Sequence, residues 1–261
     1  MANIKADSQF ILGNVNFRSM FTESVKTEFY NNQPFGYETT TGWNDAIETG
    51  YKIGGIQPYT TAFAGDALSI SPLNIRTGTI SGVVEGIFTY SGLRSTGDLV
   101  HSWSIWNVSV SLVSLRNVAL TLDTADDVTM MRNMLSGNDN VRLSRFADRI
   151  VTYEGNDFVQ AGAGNDYIDA GLGSDSVHGG AGVDTLLGGA SNDFIVGSSG
   201  GDVLYDGTGG DVFIFDDNHL TNGLVTSDRI LDFYHLSDQL NFALIDANAN
   251  GGGTDDVLFS V

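Results

Sequence analysis

Apolar and polar residues are arranged in two different ways along the chain, and the change comes at about residue 134. In the first half, 73–92 and 101–122 are rich in Val, Ile, Thr, Ser and aromatic residues, with turn-forming residues between them. Trp103 and Ile105 alternate with Ser102 and Ser104, as in a strand with one buried face. This pattern predicts that residues 1–133 form a β-rich domain.

Two stretches of the first half have helical spacing. At the junction with the second half, a helix is predicted between an N-cap at Thr124 and a stop at Gly137. Its acidic first turn and its apolar face consist of Asp126, Asp127, Val128, Met131 and Leu135. The second stretch, at 17–29, has apolar residues four apart, but its aromatic content leaves helix and strand both open.

From residue 137 the apolar positions follow a strict nine-residue period. Each unit has an Asp, and an apolar residue follows it two positions later: Val141, Ile150, Val159, Ile168, Val177, Leu186, Ile195, Leu204 and Phe213. Gly stands two positions before most of these aspartates, with Phe146 and Ser191 as the exceptions. A flexible Gly-rich linker would explain neither the period nor the unbroken apolar position.

A nine-residue unit divides into a six-residue turn and a three-residue strand. Two units then make one 18-residue coil of a flattened parallel solenoid, with the apolar residue of each strand pointing inward. Alternate units lie on the same sheet, so Val159 stacks on Val177 and Ile168 stacks on Leu186. The fold class predicted for the chain is therefore all-β, with a β-rich domain leading into a solenoid.

The charge changes this picture by indicating a ligand. The chain has 32 acidic and 12 basic residues and a net charge of −20, which argues against nucleic acid as a partner. Residues 134–261 carry 4 basic and 20 acidic residues, and 19 of the acids are Asp. There is no Cys, which excludes disulfides and thiol catalysis, and no apolar run long enough for a membrane span.

The solenoid stacks aspartates at about one strand spacing, roughly 4.8 Å. Asp157 would lie over Asp175, and Asp166 over Asp184, and like charges this close repel one another unless a cation lies between them. Glycine lets the turn carbonyls point inward. Oxygen donors without imidazole or thiolate favour a hard cation, and Ca²⁺ suits such a site better than Mg²⁺.

The repeats resemble the RTX (repeats-in-toxin) nonapeptide GGxGxDxUx, whose family fold is a calcium-bound parallel β-roll. GGAGVDTLL at 179–187 matches the whole motif, and AGAGNDYID, AGLGSDSVH, GGASNDFIV, GSSGGDVLY and DGTGGDVFI each lack one glycine. The similarity extends over roughly 134–246. It implies about five calcium ions, and up to seven, each between two loops that lie 18 residues apart.

The resemblance also implies which residues bind these ions. The expected carboxylate ligands are Asp157, Asp166, Asp175, Asp184, Asp193, Asp202 and Asp211. The expected glycines of the sites are Gly162, Gly164, Gly171, Gly173, Gly179, Gly180, Gly182, Gly189, Gly200 and Gly209. At the first coil, Arg142, Arg145 and Arg149 stand where the loops should be most acidic, and we expect them to take the place of metal there.

The segment after the repeats is expected to act as a cap. Outward positions late in the roll are apolar and need a cover: Phe194, Val196, Val203, Tyr205, Val212 and Ile214. The segment 228–261 resembles the cap that follows RTX rolls, and it is expected to cover them. Without calcium, repulsion between the carboxylates predicts a disordered second half.

Signals for enzymes are weak. HExxH does not occur, and the four histidines at 101, 178, 219 and 235 are scattered, which excludes a zinc protease of that type. GSSGG at 197–201 has the spacing of a nucleophile elbow, but Ser199 lies inside a repeat. His178, at the outward last position of a repeat, is interpreted as a surface residue. No enzyme activity is predicted.

Other residues of the first half leave a second function open. Trp103 and Trp106, with Trp43, favour core packing over a sugar-binding platform. Asp45 and Glu48 lie near an aromatic residue, and a glycosidase dyad that includes them is a weak alternative.

The predicted organisation is a β-rich domain at 1–133, an RTX β-roll at 134–215 and, at 216–261, a cap with a secretion signal. The N-terminus has no Sec-type signal, and RTX proteins leave Gram-negative cells by type I secretion, so an extracellular or cell-surface location is expected. The predicted function is a non-enzymatic matrix, adhesion or surface-layer component that binds calcium and associates with itself or with cell-surface polysaccharide. The alternative is a secreted hydrolase or carbohydrate-binding accessory with its site in 1–133.

Overall fold

Strands make up most of the described part of the chain. A computed structural model describes residues 3–6, 26–30, 45–53, 56–71, 79–93, 99–119, 124–216, 228–234 and 236–244. Two short helices join the N-terminal strands to the solenoid, and the predicted all-β class is confirmed.

The elements before residue 135 are β1 (Asn3–Ala6), β2 (Lys26–Tyr30), β3 (Asp45–Ile53), β4 (Ile56–Ser71), β5 (Thr79–Leu93), β6 (Leu99–Ser111), α1 (Leu112–Ala119) and α2 (Thr124–Met134). The later strands are β7 (Asn140–Arg142), β8 (Arg149–Val151), β9 (Phe158–Ala163), β10 (Tyr167–Leu172), β11 (Ser176–Ala181), β12 (Thr185–Ala190), β13 (Phe194–Ser199), β14 (Val203–Thr208), β15 (Val212–Asp216), β16 (Arg229–Leu231) and β17 (Gln239–Leu244).

The strands form two sheets, and the larger one runs through both halves of the chain. Its twelve strands have the order β17-β15-β13-β11-β9-β7-β1-β6-β5-β4-β3-β2, and the second sheet has the order β16-β14-β12-β10-β8. Strand β1 joins the halves, since it pairs antiparallel with β6 and parallel with β7. Ile4 is in register with Val141 and is buried, so the solenoid core continues into the N-terminal sheet.

The solenoid has the predicted two columns of apolar side chains. In the larger sheet, Val159 is in register with Val177, which is in register with Ile195. In the other sheet the column includes Ile168 and Leu186. The residues of both columns from Val141 to Phe213 are buried. Burial of these side chains, one per strand, is the hydrophobic contribution that orders the coils.

The strands of the roll are longer than the predicted three residues. Strands β9 to β14 have six residues each, whereas β7 and β8, the strands of the first coil, have three. The prediction was wrong because the glycine-rich part of each unit also pairs with the next coil: Gly162 pairs with Gly180, and Gly171 with Gly189. The turns between strands are correspondingly short.

The helices differ from the sequence prediction in two respects. The segment 101–122 was assigned to strands, but β6 ends at Ser111 and α1 follows. Along α2 and the turn that follows it, Met131 and Leu135 are buried as predicted, whereas Val128 is 45 % exposed. The buried face is offset by one residue, because it runs from Asp127 through Met131 to Leu135 and also includes Met134.

Some predictions fall partly or wholly outside the described residues. In the second candidate helix, 26–30 is strand β2, and 17–25 lies outside the described residues. Trp43 also lies outside them, and for Trp103 and Trp106 only the backbone, in β6, is described. Within the described ranges, neither helix has the length and apolar character needed to cross a bilayer.

Candidate calcium sites

The repeat places each periodic aspartate at the end of a turn, directly before the strand whose apolar residue enters the core. The apolar residue two positions later points into the core. Since residues two apart in an extended chain point to the same side, the carboxylate also points into the roll. All nine are buried: Asp139, Asp148, Asp157, Asp166, Asp175, Asp184, Asp193, Asp202 and Asp211. We call these nine residues the Asp ladder. Burial of so many carboxylates is unfavourable unless each is hydrogen-bonded or bound to a cation.

In the seven ladder carboxylates from Asp157 to Asp211, Oδ1 accepts a hydrogen bond from the backbone of the preceding coil. The N–H of Asp157 donates to Oδ1 of Asp175 at 2.7 Å, and the N–H of Asp166 donates to Oδ1 of Asp184 at 2.9 Å. The same bond repeats from residue 139 to residue 211, always across 18 residues. The structure therefore brings together the five predicted pairs, 157/175, 166/184, 175/193, 184/202 and 193/211. Their role as calcium ligands stays a prediction.

The other oxygen lacks such a bond over most of the ladder. Oδ2 is buried and has no hydrogen-bond partner among the described residues in Asp166, Asp175, Asp184, Asp193 and Asp211. A buried carboxylate oxygen with no donor is costly to keep ionised. These atoms fit Ca²⁺, which binds carboxylate and carbonyl oxygens in flexible geometry.

Glycine leaves room for a cation beside these oxygens. A Cβ atom added to Gly179 would lie 2.5 Å from Oδ2 of Asp184 and 2.9 Å from the carbonyl oxygen of Gly197 in the next coil. A Cβ on Gly188 would meet Oδ2 of Asp193 and a carbonyl oxygen in the same way. The space that a side chain would fill is therefore lined by oxygens from two coils, as a calcium site requires.

A second set of glycines lies in the turns and allows the coils to stack closely. Gly182 has φ of +138°, and a Cβ atom there would overlap the carbonyl oxygen of Gly164. Both the backbone conformation and the close approach require glycine. Of the predicted glycines, those in the turns are Gly164, Gly173, Gly182, Gly200 and Gly209, and those in strands are Gly162, Gly171, Gly179, Gly180 and Gly189.

Burial changes the protonation of the ladder. Desolvation raises the pKa of Asp157, Asp184 and Asp193 from 3.8 to about 7. It raises the pKa of Asp166 and Asp175 to about 6. Hydrogen bonds from the backbone oppose this rise but are outweighed by burial. In the absence of a cation, the folded roll therefore holds protons that the unfolded chain releases at neutral pH.

The ladder extends beyond the period that the sequence shows. The N–H of Asp202 donates to Oδ1 of Asp228 at 3.0 Å, and the N–H of Asp211 donates to Oδ1 of Asp238 at 3.2 Å. Ile230 and Leu240 continue the two apolar columns. Sequence reasoning missed both aspartates because they come 26 and 27 residues after their partners instead of 18. The signal was the Asp-x-apolar tripeptide, which occurs in DRI and DQL.

The first coil differs from the later ones. Oδ2 of Asp148 accepts hydrogen bonds from both the backbone N–H and the hydroxyl of Ser144, each at 2.8 Å. Nothing in the repeat pattern indicates this role for Ser144. The guanidinium of Arg149 lies 3.6 Å from the ring centroid of Tyr167, and that of Arg145 lies 5.1 Å from the ring centroid of Phe146. Hydrogen bonds from Ser144 thus give Asp148 part of the stabilisation that a calcium ion would give the aspartates of the later coils.

The structure describes the cap at 228–234 and 236–244, and there it extends the roll. Strand β16 pairs with β14 and β17 pairs with β15, so the described part of the cap adds strands to the end of both sheets instead of covering the outward faces. Phe194 remains 50 % exposed, although Val196 is buried. The segment 245–261 lies outside the described residues. We use cap segment below for 228–244.

Ser199, a weak candidate nucleophile by its sequence, and His178, predicted to be a surface residue, both lie in strands of the roll. Ser199 ends strand β13, and its hydroxyl donates to the carbonyl oxygen of Gly180. The described residues directly after it, 200–216, contain strands and turns and not the helix that a nucleophile elbow would need. His178 is half-buried, and its ring lies against that of Phe158 with centroids 5.4 Å apart, so it is packed more closely than the predicted surface residue.

Comparison with known proteins agrees with this geometry. The RTX calcium-binding nonapeptide repeat matches the chain in four copies, at 135–168, 143–177, 170–204 and 178–213. No curated protein and no solved structure matches the chain. The four copies coincide with the coils that carry the Asp ladder and its uncompensated oxygens. Residues 135–213 of this chain are therefore RTX calcium-binding repeats folded as a parallel β-roll.

Proposed function

We propose that the protein is a secreted, non-enzymatic component of the cell exterior that folds on calcium after it leaves the cell. In this role the β-roll is a rigid structural element, and the N-terminal sheet provides the contact surface. The contact is with further copies of the chain or with cell-surface polysaccharide, as in a matrix, an adhesion layer or a surface layer.

The observation that carries the proposal is the row of buried Oδ2 atoms along the ladder. At neutral pH such a structure needs calcium for its stability, and extracellular calcium modules bind at about 10⁻⁴–10⁻³ M. The cytosol offers far less calcium than this, whereas the exterior supplies it. The RTX repeats support secretion in the same way, since proteins with these repeats are typically exported.

The shared sheet supports a structural role. Because β1 links β6 to β7 within one twelve-stranded sheet, ordering the roll also fixes the position of the N-terminal strands. A contact surface on those strands would therefore be held in a fixed orientation only when calcium is bound. This coupling suits a component whose assembly begins outside the cell.

Sedimentation velocity with and without calcium at about 5 mM, above the range for such modules, tests the proposal. Calcium-dependent, reversible growth into ordered sheets or filaments, seen by electron microscopy, would support self-assembly. A compact monomer that binds polysaccharide from the producing cell would support the adhesion role. A compact monomer that cleaves such a polysaccharide would replace the proposal with the hydrolase alternative.

A further inference from the structure

A cluster of three carboxylates lies where the cap segment meets the last coil. Asp206 lies within β14, Asp211 precedes β15, and Asp238 precedes β17. One carboxylate oxygen of each lies within 4.8 Å of the others, and all three residues are buried. The cluster therefore combines two strands of the roll with one turn of the cap segment.

Asp206 departs from the repeat pattern. It stands five residues before Asp211, at the position that is Gly179, Gly188 and Gly197 in the three preceding units. A Cβ atom at each of those glycines would point at Oδ2 of the aspartate five residues later. A carboxylate at residue 206 is thus directed into the space that the earlier units leave for a cation.

The carboxylate of Asp206 has an oxygen that the protein does not satisfy. Asp206 is 0 % exposed, and its Oδ2 has no hydrogen-bond partner among the described residues. Oδ2 of Asp211 is also buried and has no hydrogen-bond partner among the described residues. Ionised carboxylates this close repel one another, so the cluster needs a shared cation or, where there is none, a proton shared by Asp206 with Asp232 or Asp238.

The cap segment supplies further oxygens to the same place. The N–H of Asp206 donates to Oδ1 of Asp232 at 3.2 Å, which brings a fourth carboxylate beside the cluster. Asp238 is held by the N–H of Tyr234, which donates to its Oδ2 at 2.6 Å. The side chain of Asp238 is therefore positioned in the cluster by its own turn.

We propose that Asp206, Asp211 and Asp238, assisted by Asp232, bind a calcium ion that fastens the cap segment to the last coil. This site continues the Asp ladder through Asp211 and Asp238, but it differs from the three units before it, where glycine occupies the position of Asp206. It has more carboxylates than a ladder site. Since calcium affinity rises with the charge of the ligand set, it fills at lower calcium than the ladder does.

Asp206→Asn tests the site, because asparagine keeps the size of the side chain and removes its charge. Hydrogen exchange of the full chain, measured by mass spectrometry over a calcium titration, reports the cap segment and the central strands β9–β12 separately. We expect the calcium concentration that half-protects the cap segment to rise about tenfold, while that of β9–β12 stays unchanged. Asp206→Gly, which restores the residue of the preceding units, should also weaken protection of the cap segment.

The sign of the effect separates this proposal from a cluster that binds no cation. Without a cation, removing one of several crowded carboxylates relieves repulsion, so Asp206→Asn would increase protection of the cap segment. That result, or unchanged protection, would overturn the proposal. If protection of the cap segment and of β9–β12 fell equally, the effect would not be local to the cap segment, and the proposed site would be wrong. Glu154→Gln, which removes an exposed charge from the first half of the roll, is the matched control and should change neither.

Discussion

The backbone N–H of Asp175 donates a 2.8 Å hydrogen bond to Oδ1 of Asp193, one coil further along the roll. From Asp157 to Asp211, one oxygen of each ladder carboxylate holds the preceding coil in this way, and the other is the expected calcium ligand. Loss of a cation therefore affects more than its own turn, because the carboxylate that it releases is also a stacking contact. Calcium binding by the roll should be cooperative along the chain.

Asp184→Asn tests the ladder at its centre. Asparagine can still accept the hydrogen bond from the N–H of Asp166, but it lacks the charged Oδ2 that faces the cation space. We expect the calcium concentration at half-maximal folding, followed by far-ultraviolet circular dichroism, to rise about tenfold, or ~1.4 kcal/mol. Asp169→Asn removes the same charge outside the ladder, and an equal shift in that variant would make the effect one of net charge only.

The stability of the calcium-free roll should fall as pH rises. Burial raises the folded-state pKa of Asp184 and Asp193 from 3.8 to about 7. A raised folded pKa means that the folded state binds more protons than the unfolded state between the two values, so stability is present below about pH 4 and is lost as pH rises to about 7.

In a chelator, we therefore expect more β signal in circular dichroism at about pH 5 than at about pH 7.5, from the same pKa shifts. Calcium affinity should change in the opposite direction and increase over this range, because calcium and protons compete for the same carboxylates. A calcium-free roll that gains structure as pH rises would contradict the burial of uncompensated carboxylates.

Gly182→Ala should be strongly destabilising. Its φ of +138° is unfavourable for alanine, and the added methyl group would overlap the carbonyl oxygen of Gly164. We expect the free energy of unfolding, measured by thermal unfolding in saturating calcium, to fall by ~1–3 kcal/mol. Gly210→Ala is the control, because the nearest atom to its added Cβ lies 3.4 Å away. Comparable losses in both variants would show that coil stacking does not depend on the turn conformation.

Leu186→Ala should leave a cavity in one of the apolar columns. Leu186 is fully buried between Ile168 and Leu204, and its truncation is expected to cost ~2–5 kcal/mol in calcium. Leu172, which is 57 % exposed, provides the comparison, and Leu172→Ala should change the free energy of unfolding little. If both substitutions had the same effect on chemical denaturation, the inward column would not be the core of the roll.

The roll was predictable in detail because the nine-residue period of the sequence equals half of one 18-residue coil. The inward column through Val159 and Val177 and the pairing of Asp157 with Asp175 both follow from the 18-residue coil. The strand length was mispredicted because glycine is a poor strand former in isolation, yet Gly162 and Gly180 are held in a ladder by the coils around them.

The ends of the roll were not predictable from the period. Asp228 and Asp238 join the ladder after longer connections, and no fixed spacing indicates where a cap returns. Asp206 reads in sequence as a missing glycine, and only its burial beside Asp211 shows a different role. The pairing of β1 with β7 joins residues that are 137 apart, as for Asn3 and Asn140, which periodicity does not reveal.

The strand Asn3–Ala6 gives the roll two unlike ends. At one end, Ile4 closes the first coil with an apolar contact and ordinary sheet pairing, which do not depend on ions. At the other end, β16 and β17 extend the two sheets, and a cluster of carboxylates lies where they meet the last coil. When calcium is withdrawn, the coil that pairs with β1 should therefore keep its structure longest, because that pairing needs no ion. Refolding that starts from this coil avoids a new nucleation step. Repeated cycles of calcium depletion and return should therefore restore the same strand register each time.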